Sequence, residues 1–220
     1  MVVLKKILDF YINSSLHVAL SAFALVSMTQ YFFGVEEDFS VAFFAFFGTV
    51  IGYNFVKYDA IARLNKTEIK KELKAIVFLS FISLLACFYF FLQLSWMSKI
   101  SAFIFFGLTL LYTLPFFPNK QNARNWKGVK IYIVGITWVG VTVILPLVEA
   151  EIPFSVDVLL MALQRFLLIF SMVLVFDIVD VKQDDIHLQT VPQKIGVELT
   201  KKLGYVLLLL LLISEFFYTN

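Results

Sequence analysis

The chain has 220 residues, 60% of them hydrophobic and only 15% charged, with a mean hydropathy of +0.88. That balance excludes a water-soluble globular domain and a disordered chain, and places the sequence among integral membrane proteins. The formal charge of +2 carries no information as a total, since in such a protein the distribution of charge is what counts.

In chain order, Lys5 and Lys6 precede an apolar stretch that is too long for a signal-peptide core and lacks a small-x-small cleavage site, so it reads as a retained first span. Segments of about 16–22 mostly apolar residues are long enough to cross a bilayer. Seven are expected, near residues 12–33, 39–58, 75–93, 97–117, 129–148, 157–176 and 203–218. The last is short, with Lys202 and Glu215 at its ends. The one cysteine, Cys87, lies inside an apolar run and rules out a disulfide framework or a cysteine metal site. No soluble domain, repeat or low-complexity tract interrupts the pattern. The expectation is an all-α polytopic helical bundle forming a single domain over residues 1–220.

Charge then orients the bundle. Sixteen of the 18 Lys and Arg fall on one side, before the first span and in the loops after the second, fourth and sixth. Lys99 lies opposite, Arg165 lies within the sixth span, and Glu36, Glu37, Asp38, Glu149, Glu151 and Asp157 also line the other side. The positive-inside rule puts the N-terminus in the cytoplasm and the C-terminus outside it. A bacterial cytoplasmic membrane is the expected location.

The sixth span runs into Phe176-Asp177-Ile-Val-Asp180-Val-Lys-Gln-Asp184-Asp185, on the side rich in lysine. On a helix Asp177, Asp180 and Asp184 fall within an arc of about 60°. Like charges so placed repel by a few tenths of a kcal/mol per pair, and the helix C-terminus disfavours each anion by about 0.3–1 kcal/mol. A divalent cation would reverse both penalties, and an all-oxygen cluster suits Mg²⁺.

This stretch continues to Thr190-Val-Pro192 and Gly196. The whole resembles the second aspartate-rich motif of the UbiA superfamily of intramembrane prenyltransferases, in which D-x-x-D-x-x-x-D is followed by T-[LIV]-P-x-x-x-G. A looser similarity runs from Tyr112-Thr-Leu-Pro115 through Lys120, Arg124 and Gly128 to Trp138. The resemblance implies a bundle around a membrane cavity, Mg²⁺ on the diphosphate of a polyprenyl donor, and a lipophilic, aromatic acceptor. Asp177, Asp180 and Asp184 would then be the metal-holding and catalytic residues. Asn54, Lys57, Asp59, Arg63, Tyr112, Lys120 and Arg124 would contact substrate, and no nucleic acid is expected as a partner.

The chain departs from the family pattern at the end of the second span. Asn54 matches, but Phe55, Tyr58 and Ala62 stand where carboxylates belong, and Asp59 is one residue out of register. Lys57 and Arg63 offer charge in their place, or serve only as topology charges. The sequence is also shorter than the family's usual length by about two helices, so a shortened member, completed by oligomerisation, and a truncated one both fit. Arg165 reads either as a functional intramembrane charge or as one that snorkels toward Glu149, Glu151 or Asp157. His17 reads as a hydrogen-bonded packing residue, and His187 as a loop residue without a second ligand at metal spacing.

An enzyme, a non-catalytic relative that binds a prenyl diphosphate or a membrane partner, and a seven-helix receptor or transporter are the competing classes. A retinal protein would need a lysine inside its last span, and residues 203–218 contain none. Repeat symmetry and broken helices of the transporter kind are not evident.

Overall fold

The computed structural model describes residues 2–36, 39–64, 71–114, 126, 128–182 and 188–218, and for 2, 59–64, 71 and 72 only the backbone. Among the described residues every regular element is helical. In order they are α1 (Val2–Asn13), α2 (Leu16–Phe32), α3 (Phe39–Leu64), α4 (Lys71–Gln93), α5 (Trp96–Thr113) and α6 (Lys130–Val139). A π-helical turn (Gly140–Ile144) follows, then α7 (Leu145–Glu149), α8 (Val156–Asp180), α9 (Val191–Ile195), α10 (Val197–Ser214) and a 3₁₀ turn (Glu215–Phe217).

Five of these stretches are long and apolar enough to cross a membrane: Phe39–Tyr58, Leu73–Gln93, Trp96–Thr113, Lys130–Glu149 and Val156–Asp180. They reproduce the second to sixth expected spans to within a few residues. The first expected span is not one straight helix. The chain breaks at Ser14 and Ser15, and α1 and α2 meet at 61°. Ser15 adopts a left-handed backbone (φ 60°) that no helix continues through. The seventh expected span runs over the later part of α10 and the 3₁₀ turn after it, and α10 also includes Glu198, Lys201 and Lys202 ahead of that span.

The chain forms two compact units. Residues 1–100 with 145–150 make the first, and residues 101–144 with 151–220 the second. In the first, α3 packs against both α2 and α4, and α7 against α2 and α3. Small residues allow the approach: Ala19, Ala22 and Val26 of α2, and Val41, Ala42 and Ala45 of α3, are all nearly inaccessible. Glu149 holds the start of α5, where the Ser95 N–H donates to both its carboxylate oxygens at 3.0 and 3.1 Å. The carboxylate thereby faces the positive end of that helix.

In the second unit α6 and α10 pack on α8. Ile131, Ile169, Val173 and Leu174 form its core, with Trp138, Phe170, Val191, Leu203 and Leu207 around them. Ile169, Val173 and Asp177 recur every fourth residue, so the core face of α8 leads directly to the first carboxylate of the Asp motif. Ser155 caps the other end of α8 by accepting from the Val158 N–H at 3.3 Å.

The π-helical turn has a visible cause. Pro146 has no N–H and its ring would strike the Thr142 carbonyl in a regular α-helix. Widening the helix over Gly140–Ile144 removes that clash. Gly140 is also required there, because a Cβ would overlap the ring of Phe105.

Candidate functional site

Asp177 is 2% exposed although it lies within one turn of the end of α8. Its Oδ1 accepts from Lys130 Nζ at 2.8 Å, an ion pair with the carboxylate almost wholly covered and the lysine 21% exposed. Sequence reasoning counted Lys130 only as a topology charge. It is instead the counter-ion of the motif's first carboxylate. The buried carboxylate already has a cation, and its loss would remove this contact from Lys130.

Two further segments close on the pair. The Gly128 N–H donates to the Leu188 carbonyl at 3.4 Å, with Gly128 at φ +71°. Thr190 begins α9, with its N–H donating to Gln193 Oε1 at 2.9 Å and its side chain facing the Gln193 amide as in a capping box. That second contact is not a full hydrogen bond, so the buried Thr190 Oγ1 keeps acceptor capacity. Pro192 sits in the first turn of α9, where its missing N–H is harmless. Gly196, at φ +81°, then turns the chain into α10. Gly128, Lys130, Ile131, Asp177, Leu188, Thr190 and Val191 enclose a cavity of about 20 Å³, room for roughly one water. Lys194 Nζ lies 4.0 Å from the position a Gly128 Cβ would take, adding a second ammonium beside the loop. The T-V-P-x-x-x-G run is therefore a structural cap that folds a short helix over Asp177.

Asp180 is exposed, one turn further along the same helix face but beyond the packed core. Since α8 ends at Asp180, helical periodicity carries the carboxylate face through Asp177 and Asp180 only. Asp184, Asp185 and His187 lie outside the described residues, as do Lys120 and Arg124. Among the described residues no three His, Cys, Asp or Glu side chains gather into a metal-holding group. The described donors are hard oxygens, Asp177, Asp180 and Thr190 Oγ1, of the kind that Mg²⁺ takes. Tyr112 is half-buried near the end of α5.

The residues carried over from the second span belong to the first unit, and the side chains of Asn54 and Lys57 make contacts that serve the fold. Asn54 is 4% exposed and donates through Nδ2 to Ser80 Oγ of α4 at 3.0 Å. Its Oδ1 is buried with no partner among the described residues. Lys57 Nζ lies 3.4 Å from both the Asn13 carbonyl oxygen and Asn13 Oδ1, and 5.4 Å above the centre of the Tyr58 ring. Asp59 and Arg63 continue the backbone of α3, and nothing more is described of them.

Arg165 does not snorkel. It is 4% exposed, with Nη1 donating to Thr142 Oγ1 of the π-helical turn at 3.3 Å and Nη2 3.9 Å from Met161 Sδ. Beside it, Tyr218 donates to Gln164 Oε1 at 2.7 Å, and Gln164 Nε2 donates to Glu215 at 2.9 Å. Sequence reasoning missed this network, whose only signal was Gln164 next to Arg165 inside an apolar run. His17 packs against the Tyr11 ring at 5.8 Å as expected, but its Nδ1 is buried without a hydrogen-bond partner among the described residues. Comparison of the chain with known protein families, with characterised proteins and with solved structures yields no match.

Proposed function

We propose that this chain is a membrane-embedded prenyltransferase that uses a Mg²⁺-bound polyprenyl diphosphate to alkylate a lipophilic, aromatic acceptor. The observation that supports it is the meeting, at one end of α8, of the aspartate motif, the Gly128–Lys130 turn and the Thr190–Gly196 cap. Asp177 and Asp180 would hold the metal, with Thr190 Oγ1 beside Asp177. When bound, Mg²⁺ stabilises the negative charge on a departing diphosphate. Lys130 and Lys194 hold the diphosphate by charge, Lys130 exchanging its contact with Asp177 for one with phosphate oxygens. The apolar flanks of α6 and α8 keep water from the reacting carbon and accept the isoprenoid tail. In the same reading the spans number seven, with α2 first and α10 last, and the N-terminus and the Asp motif face the cytoplasm of a bacterial cell.

The test is transfer or hydrolysis of a radiolabelled prenyl diphosphate by the protein in lipid, with Mg²⁺ and a panel of aromatic acceptors. Asp180→Ala is the informative variant, because an exposed residue can be removed without disturbing the core. Wild-type turnover and its loss in Asp180→Ala are expected. No diphosphate release by the wild type overturns the enzyme. A second reading, a non-catalytic relative that holds a prenyl diphosphate or a membrane partner, is favoured by one observation. Asn54, which matches the first motif, and Lys57, which offers charge in place of its carboxylates, are spent on contacts within the first unit. Binding of prenyl diphosphate without turnover is its signature.

A further inference from the structure

α1 carries its residues on two distinct sides. Leu4, Ile7, Leu8, Tyr11 and Ile12 fall along one, and Lys5, Lys6, Asp9 and Asn13 along the other, at helical spacing. Apart from Tyr11, which meets His17 of α2, the apolar side is largely open: Leu4 is 72% exposed, Ile7 61% and Leu8 53%. Twelve residues reach about 18 Å, too little for a hydrocarbon core of about 30 Å, and the helix turns 61° away from α2.

The turn is clamped. The carbonyl oxygen of Asn13, the last residue of α1, accepts from Tyr58 Oη at 2.8 Å and lies 3.4 Å from Lys57 Nζ. Tyr58 is the last residue of the apolar stretch Phe39–Tyr58. The clamp therefore fixes the end of α1 at the level where α3 leaves the hydrocarbon, on the lysine-rich side. Lys5 and Lys6 both stand exposed on the polar side.

We infer that α1 is an interfacial anchor that lies along the membrane surface, its apolar side among the acyl chains and Lys5 and Lys6 on anionic lipid headgroups. An amphipathic helix held at that depth gains both the buried apolar area and the attraction to the charged leaflet. Lys57 and Tyr58 are positioning residues for it. This inference is independent of any prenyl-diphosphate chemistry.

The experiment uses the full chain with Cys87→Ser and a single fluorophore-labelled cysteine at position 4, 8, 9 or 12. The protein is reconstituted in phosphatidylcholine vesicles with or without phosphatidylglycerol. The Leu8→Cys label should be quenched by lipids with a shallow quencher, and the Asp9→Cys label by aqueous iodide. Lys5→Gln with Lys6→Gln should raise iodide quenching at position 8 about twofold, in the phosphatidylglycerol vesicles only. Tyr58→Phe should spread the depth of the position-8 label in either lipid. Label depth that increases steadily from position 4 to 12 would make α1 part of a broken span and overturn the inference. Shielding of position 8 from both quenchers would overturn it in favour of a protein partner. Equal effects of the lysine changes in both lipids would remove the anionic headgroup.

Discussion

At the scale of single residues, what most changes the reading of the Asp motif is Lys130. A carboxylate at a helix C-terminus is unfavourable by itself, and burying it at 2% exposure is tolerable only with a cation at hand. Lys130 at 2.8 Å supplies one. Lys130→Ala should therefore destabilise the metal-free protein by about 1–3 kcal/mol by leaving the buried carboxylate without that cation, and Asp177→Ala by less, because the ammonium it leaves is partly solvated. The double variant should cost less than the sum of the two, and thermal unfolding of all four proteins in one detergent measures the coupling. Asp180→Ala should leave the melting temperature unchanged, since nothing covers that side chain. The motif itself was legible in the sequence because its spacing is local. Its counter-ion, 47 residues away, was not. No periodicity links a lysine at the start of one helix to a carboxylate at the end of another across such a distance.

At the scale of elements, the helices follow from the apolar runs and their ends from small local signals. The π-helical turn is the exception. Pro146 in the sequence announces a disturbance, but only the neighbouring Phe105 ring shows why residue 140 must be glycine. Gly140→Ala should cost about 1–3 kcal/mol through overpacking. Gly204→Ala, in a helix with open space around that position, should be neutral or stabilise by up to about 1 kcal/mol. Melting temperatures of the two variants side by side check the pair. The same turn presents Thr142 to Arg165, so Gly140→Ala should also loosen the Arg165 contact. α9 shows the reverse case: its start and stop are local, with the Thr190 N–H donating to Gln193 Oε1, Pro192 in the first turn and Gly196 at the end.

At the scale of the whole molecule, the positive-inside asymmetry predicts which loops face the cytoplasm, and the count of spans decides where the C-terminus goes. A reporter active only outside the cytoplasm should be silent when fused after Lys127 and active when fused after Asn220. Silence at both points would mean that α10, with Glu198, Lys201 and Lys202 in its first turns, lies along the surface and does not cross.

The sequence by itself determined the class of protein, five of the spans and the spacing of the Asp motif. Each depends on composition or on residues within a few turns of one another, where helical geometry is enough. Tertiary structure alone decided that Asp177 is neutralised by Lys130 and that Arg165 is buried against Thr142. It also decided that Lys57 and Tyr58 grip the end of α1. Those outcomes depend on which side chains meet from distant parts of the chain, and the cost of burying a charge makes each meeting obligatory once packing has placed the first partner.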